Sequence, residues 1–147
     1  MDKTKDFFNE MSSFINGAGL QIPPPVFVTH RGVIENFVEG KTLSISFPLL
    51  KEQENPVGQT LGGYLPLFFD LTFGPFSYTL AKCPATSLDI NTQFLRPLST
   101  KDNRVTITVE KVHESKSYLI LYGYAYNQNG DLIATANTRM KKMMTNK

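Results

Sequence analysis

Apolar residues recur in two rhythms along this chain, and the change from one to the other marks its parts. Phe7, Phe8, Met11, Phe14 and Ile15 follow at steps of 1, 3, 3 and 1, the stripe of an amphipathic helix. Thr4 is a fitting N-cap and Asn16-Gly17-Ala18-Gly19 a stop signal, so a helix is predicted over residues 4–16. Its polar face is not basic, which favours a cover over an open end of the core above a membrane-surface helix. Pro23-Pro24-Pro25 reads as an extended elbow. From residue 26 the period becomes two. Val33 to Val38 is a candidate strand. Thr42 to Leu49 alternates clearly, with Leu43, Ile45, Phe47 and Leu49 on one face.

Between these strands and the next lies the stretch that organises the rest, Asn55 to Leu80. It opens in a turn-rich loop, passes through Gly62-Gly63 and enters an apolar run. Pro66 fits the first turn of a helix, where its missing N–H has no partner to lose. Pro75 clashes with the carbonyl one turn back, so a kink or an end is predicted there. Tyr64, Leu65, Phe68, Phe69, Phe73 and Phe76 surround the single charge, Asp70, and predict a helix buried all round. A carboxylate in such a place costs several kcal/mol unless it is paired, hydrogen-bonded or used. Gly74, one turn on, leaves space beside it for a ligand. Gly62-Gly63 suits a loop whose backbone approaches something closely, and the free N–H groups and dipole of the helix start make an oxyanion or anion site.

After Cys83-Pro84 the alternation returns. Ser87, Asp89, Asn91 and Gln93 fall on one face, and Leu88, Ile90, Thr92 and Phe94 on the other. Val105, Ile107 and Val109 alternate with Thr106, Thr108 and Glu110. Tyr118 to Tyr126 puts its tyrosines and Ile120 on one face, and Asn129-Gly130 is a hairpin signal before Leu132 to Met140. The pattern is α+β: an antiparallel sheet of five to six strands wrapped around one central helix, with an extra N-terminal helix. Residues 1–147 read as one domain, residues 1–25 being the helix and Pro-rich connector.

Composition narrows the function. A net charge of +2 argues against nucleic acid as the main partner. The lone Cys83 excludes an internal disulfide and, with only His30 and His113, makes no metal-ligand cluster. The polar N-terminal residues do not form a signal peptide and no run reaches transmembrane length, so a cytoplasmic protein without a membrane role is expected.

The residues also resemble a known family. The order of strands around a helix opened by Gly-Gly resembles the hotdog fold, and within it the PaaI-type acyl-CoA thioesterases. Their pattern is Asn-x-x-Gly-x-x-His-Gly-Gly, then an acidic residue seven positions on. Here Asn55, Gly58, Leu61, Gly62 and Gly63 keep that spacing and Asp70 falls in the acidic register. Phe94-Leu95-Arg96-Pro97 is similar to a phrase that ends a family strand. Asn127 to Ala134 is similar to one in its last hairpin. The resemblance spans roughly residues 33 to 140. Leu61 departs from it, standing where the family has a histidine that orients the substrate carbonyl.

The resemblance implies an acyl-CoA thioesterase, a dimer or dimer of dimers whose sites are shared between chains, with no cofactor beyond the coenzyme A of the substrate. It implies Asp70 as base or nucleophile and the Gly63 N–H on the carbonyl oxygen. It implies Asn55 on the water or carbonyl. In one relative a serine of the second chain assists; its register falls on Ser87. Gly62, Leu61 and Gly74 would line the substrate site, and Arg96 and Lys116 are candidates for the coenzyme A phosphates. The alternative is a non-catalytic hotdog protein that binds acyl-CoA or a fatty acyl ligand, which Leu61 favours. A ligand-free interaction module leaves Asp70 unexplained, and a dehydratase wants a pocket histidine that neither His30 nor His113 supplies.

Overall fold

A computed structural model describes residues 2–15 and 19–143. Its elements in chain order are α1 (Lys3–Phe14), α2 (Pro25–Thr29), β1 (Val33–Val38), β2 (Thr42–Pro48), α3 (Tyr64–Ala81), β3 (Ala85–Phe94), β4 (Arg104–Glu114), β5 (Tyr118–Tyr126) and β6 (Leu132–Lys142). All six strands join one sheet in the order β1-β2-β4-β5-β6-β3, every neighbour antiparallel. The central helix α3 lies across one face of it. As the alternation predicted, Leu43, Ile45 and Phe47 of β2, Val105, Ile107 and Val109 of β4, and Leu119, Leu121 and Ala125 of β5 are buried. The tyrosines of β5 lie on the other face, where Tyr124 donates to the Glu110 carboxylate at 2.8 Å.

The helix and sheet fit because large meets small. Phe69 and Phe73, one turn apart on α3, stack at 6.0 Å and press on Gly123 of β5. A Cβ at Gly123 would stand 2.8 Å from the Phe69 ring and 3.1 Å from that of Phe73. Ala125, Ala134 and Ala136 continue this shallow floor. Where hydroxyls are buried in α3 they bond back to the preceding turn: Thr72 to the Phe68 carbonyl at 2.9 Å, Ser77 to Gly74 at 2.6 Å and Thr79 to Phe76 at 2.7 Å.

Several expectations need correction. Asp2, not Thr4, caps α1, its carboxylate accepting from the N–H groups of Thr4 and Lys5 at 3.0 and 3.1 Å. Residues 16–18 of the expected stop signal lie outside the described residues. The proline run is extended only to Pro24; Pro25 takes the first position of α2, which its fixed φ favours, so period two begins at Val33 rather than at residue 26. The helix α3 does not end at Pro75, which lies inside it, but continues to Ala81. Nor is it buried all round, because it touches a sheet on one side only and Asp70 is exposed.

The β3 faces also differ from the simple alternation. Ser87 pairs with Met140 and Asp89 with Arg139, so Leu88 is one residue too many for the ladder. Ser87 therefore shares the inner face of buried Met140, while Asp89 shares the outer face of Arg139 and pairs with it at 3.4 Å.

Gly123→Ala should destabilise the fold by about 1–3 kcal/mol, since neither aromatic ring has room to retreat. Urea unfolding would show a lower midpoint at unchanged slope. An unchanged midpoint would mean that α3 does not depend on this contact.

Candidate active site

With Phe69 and Phe73 turned to the sheet, helix periodicity turns Asp70 and Gly74 to the side, toward the start of β3. The bulge at Leu88 turns Ser87 to meet them. The Ser87 hydroxyl donates to Asp70 Oδ1 at 2.9 Å within one chain. Beside this pair lies a cavity of about 540 Å³ that both residues line. A methyl group at Gly74 would meet nothing within 4 Å, so the space expected beside the carboxylate exists. Leu67, Leu71 and Tyr78 carry the cavity along α3. Burial, with the Cys83 thiol adjacent, raises the Tyr78 phenol above its ordinary range, so it stays neutral. Among the described residues lining the cavity, Asp70 is the one charged side chain.

Most of the other predicted residues, Lys116 excepted, lie elsewhere, around the N-terminal end of α3. Gly63 occupies the N-cap position with φ −61° and ψ −18°. The Tyr64 and Leu65 N–H groups bond the Leu61 and Gly62 carbonyls at 3.0 and 3.1 Å. The Gly62 and Gly63 N–H groups have no acceptor among the described residues. Asn55 holds the loop before them: its Oδ1 accepts from Val57 and Gln59 N–H at 3.1 and 3.0 Å. Asn55, Gly62 and Arg96 line a second hollow of about 360 Å³. Thr60 also lines it, and its buried hydroxyl has no partner among the described residues. Leu61 is half exposed.

The two groups do not converge within one chain. Gly63 and Asp70 share a face of α3 but are separated by two turns, about 10 Å of helix rise. Arg96 and Lys116 are further apart. Arg96 follows β3, 64% exposed and 4.0 Å from Asp131. Lys116 sits exposed in the β4–β5 turn, beside the end of β6, where the Lys142 N–H reaches the Ser117 carbonyl at 2.8 Å. The length of β3, about 30 Å, separates them, so they do not share one phosphate site in a single chain.

β3 and β1 are the two edges of the sheet; along β3 Leu88 and Phe94 are exposed, with Leu95 just beyond it and Leu61 and Val57 in the loop before α3, whereas β1 exposes Val33 and Val38. His30, unremarkable in the sequence, packs edge-on to Tyr64 and Phe68 at about 6 Å, away from Asp70. The cavity residues of the N-terminal part, Met11 and Val26 among them, carried no sequence signal of this role.

No family model matches the chain, and no curated protein matches it in sequence. Solved structures do match in shape. The PaaI protein of Escherichia coli, from the phenylacetic acid degradation operon, superposes with a TM-score of 0.75 at 17% identity, over 82% of this chain and 86% of that one. The phenylacetic acid degradation-related protein of Ralstonia eutropha JMP134 gives 0.76 at 23%, over 92% and 98%. A mutant thioesterase of Staphylococcus aureus gives 0.73 at 21%, over 80% and 98%. This is the hotdog fold. Its structural neighbours include PaaI-type thioesterases. Among the described residues no helix is long and apolar enough to cross a membrane.

Because Asp70 is exposed and held by a single side-chain hydrogen bond, Asp70→Asn should change unfolding free energy by no more than about 1 kcal/mol. Urea titration of both proteins checks this. A gain of several kcal/mol would mean that the carboxylate is buried after all.

Proposed function

We propose that the protein hydrolyses an acyl-CoA thioester to a free acid and coenzyme A, as a PaaI-type hotdog thioesterase. The observation that carries this reading is the Asp70 carboxylate, held by Ser87 at the wall of a largely apolar cavity in which it is the one charged side chain among the described residues. Asp70 takes a proton from water as the oxygen attacks the thioester carbonyl, or it attacks the carbonyl itself and forms a mixed anhydride, which water hydrolyses to the free acid once coenzyme A has left. The carbonyl oxygen, becoming an oxyanion, accepts from the Gly63 N–H and, beside it, Gly62. Preorganised backbone donors of this kind contribute about 3 kcal/mol each. The C–S bond then breaks and the thiolate leaves as coenzyme A. No step needs a metal or a redox cofactor.

A single carbonyl does not span Gly63 and Asp70 of one chain, so the site is completed by a second copy. An exposed edge strand flanked by apolar residues pairs readily with another chain. If β3 pairs antiparallel with β3 of a second copy, the Gly62-Gly63 end of one chain approaches the Asp70–Ser87 end of the other. That makes a homodimer, or a dimer of dimers, the working form. In the same arrangement Arg96 of one chain approaches the Lys116 end of the other, where both serve the coenzyme A phosphates. Asn55 acts chiefly by shaping the glycine loop, with its amide nitrogen left to face the substrate. The single cysteine fits a reducing compartment, and the cytoplasm is the location this reading takes.

One observation favours a second reading, binding of acyl-CoA without turnover: Leu61 stands where the related pattern has its histidine, so the carbonyl lacks that side-chain donor.

Thiol release from a panel of acyl-CoAs separates the two. Asp70→Asn should lower kcat/KM by about 100-fold or more, the scale of a general base. Ser87→Ala should lower it less. A rise in melting temperature with acyl-CoA but no thiol release would leave the binding reading standing.

A further inference from the structure

The cavity beside Asp70 is not made by the sheet and α3 alone. Phe8 and Met11 of α1, Leu20, Ile22 and Pro24 of the connector, and Val26 of α2 form one of its walls. That wall is anchored to the fold. Phe7 packs edge-on against Phe37 of β1 at 5.0 Å, and Phe8 against Phe27 at 4.9 Å, with Phe27 leading on to Phe47 at 6.1 Å. Thr4 Oγ1 accepts from the Ile34 N–H at 2.9 Å, and Lys3 Nζ reaches the Glu35 carbonyl at 3.0 Å. Phe8 and Met11 are 3% and 2% exposed. The wall is therefore packed in place, and its side chains bound the space available next to Asp70.

Resting on the thioesterase reading above, we propose that this N-terminal wall sets which acyl group the enzyme accepts, with Met11 and Val26 as specificity-determining residues. The acyl group runs from Asp70 past Gly74 and abuts them. Its class follows from the lining. Apart from Asp70 no charged side chain lines the cavity among the described residues. A second carboxylate on the acyl group would be desolvated there with no cation to pair with and with Asp70 as a like charge. The acyl group of the substrate carries no second carboxylate and is largely apolar, with Gln21, Tyr78 and Thr86, besides Ser87, the uncharged polar groups it can meet. A cavity of about 540 Å³ has the size that encloses a small-molecule group.

The test is a profile of kcat/KM over butanoyl- to tetradecanoyl-CoA and phenylacetyl-CoA, for wild type, Met11→Ala and Val26→Trp. Met11→Ala should move the optimum to longer acyl groups. Each added methylene that finds room is worth about fourfold, so the long-to-short ratio rises about tenfold or more. Val26→Trp should lower the same ratio by a similar factor. Val26 is 45% exposed, so this variant keeps the proposal testable even if Met11→Ala does not fold. Phenylacetyl-CoA distinguishes an aryl from an aliphatic fit. Unchanged ratios in the folded variants would overturn the wall while leaving hydrolysis intact. If wild type hydrolyses no member, the thioesterase reading fails, and the wall is judged by the melting-temperature rise that the corresponding free acids give. A changed ranking of acids between wild type and variant supports it, and an identical ranking overturns it.

Discussion

The contact of Phe69 and Phe73 with the glycine floor of β5 fixes both the height and the rotation of the central helix. Everything at the candidate site follows from that rotation. With two rings seated on Gly123, Asp70 and Gly74 turn off the sheet toward β3. Any side chain at Gly123 would push the helix outward and move the carboxylate with it. An apolar contact some residues away thus places the one charged side chain that lines the cavity among the described residues.

A second constraint acts from the strand side. Regular alternation would put Ser87 on the outer face with Asp89. The extra residue at Leu88 splits the two, giving Asp89 to Arg139 outside and Ser87 to Asp70 inside. Bulges commonly re-aim a side chain in this way beside functional sites. The same strand is one of the two edges of the sheet, so the element that supplies the serine is also the one through which the proposed second copy would pair.

Much of this was legible in the sequence, for a physical reason in each case. Strands with one buried face must alternate, and Thr42 to Pro48 or Tyr118 to Tyr126 do so without a break. The glycine pair and Pro66 announce where α3 begins, because a helix start tolerates a missing N–H and a close backbone. Gly74 correctly marked space beside Asp70. Other features left no trace. The Leu88 bulge hides because Ser87 and Asp89 are both polar, so the pattern looks intact whichever way they face. The exposure of Asp70 hides because apolar neighbours along a helix do not reveal how many sides are covered. Gly62-Gly63 and Asp70 sit near each other in the pattern, yet two helical turns keep them from one carbonyl. Pro25 could end an extended run or start a helix, and only packing of Phe27 between Phe8 and Phe47 decides it.

In the proposed dimer a working site combines the acid of one chain with the glycine donors of another. Asp70→Asn removes the first. Gly63→Pro removes the second with little strain, since Gly63 already has φ −61° and an added Cβ there meets nothing within 4 Å. Each variant alone should keep no more than about a hundredth of wild-type activity. When the two are unfolded, mixed in equal amounts and refolded together, half the dimers are hybrids with one intact site of two. Roughly a quarter of wild-type thiol release should then return. If each chain carried its own complete site, the mixture would stay as inactive as its parts, and the shared-site account would be wrong.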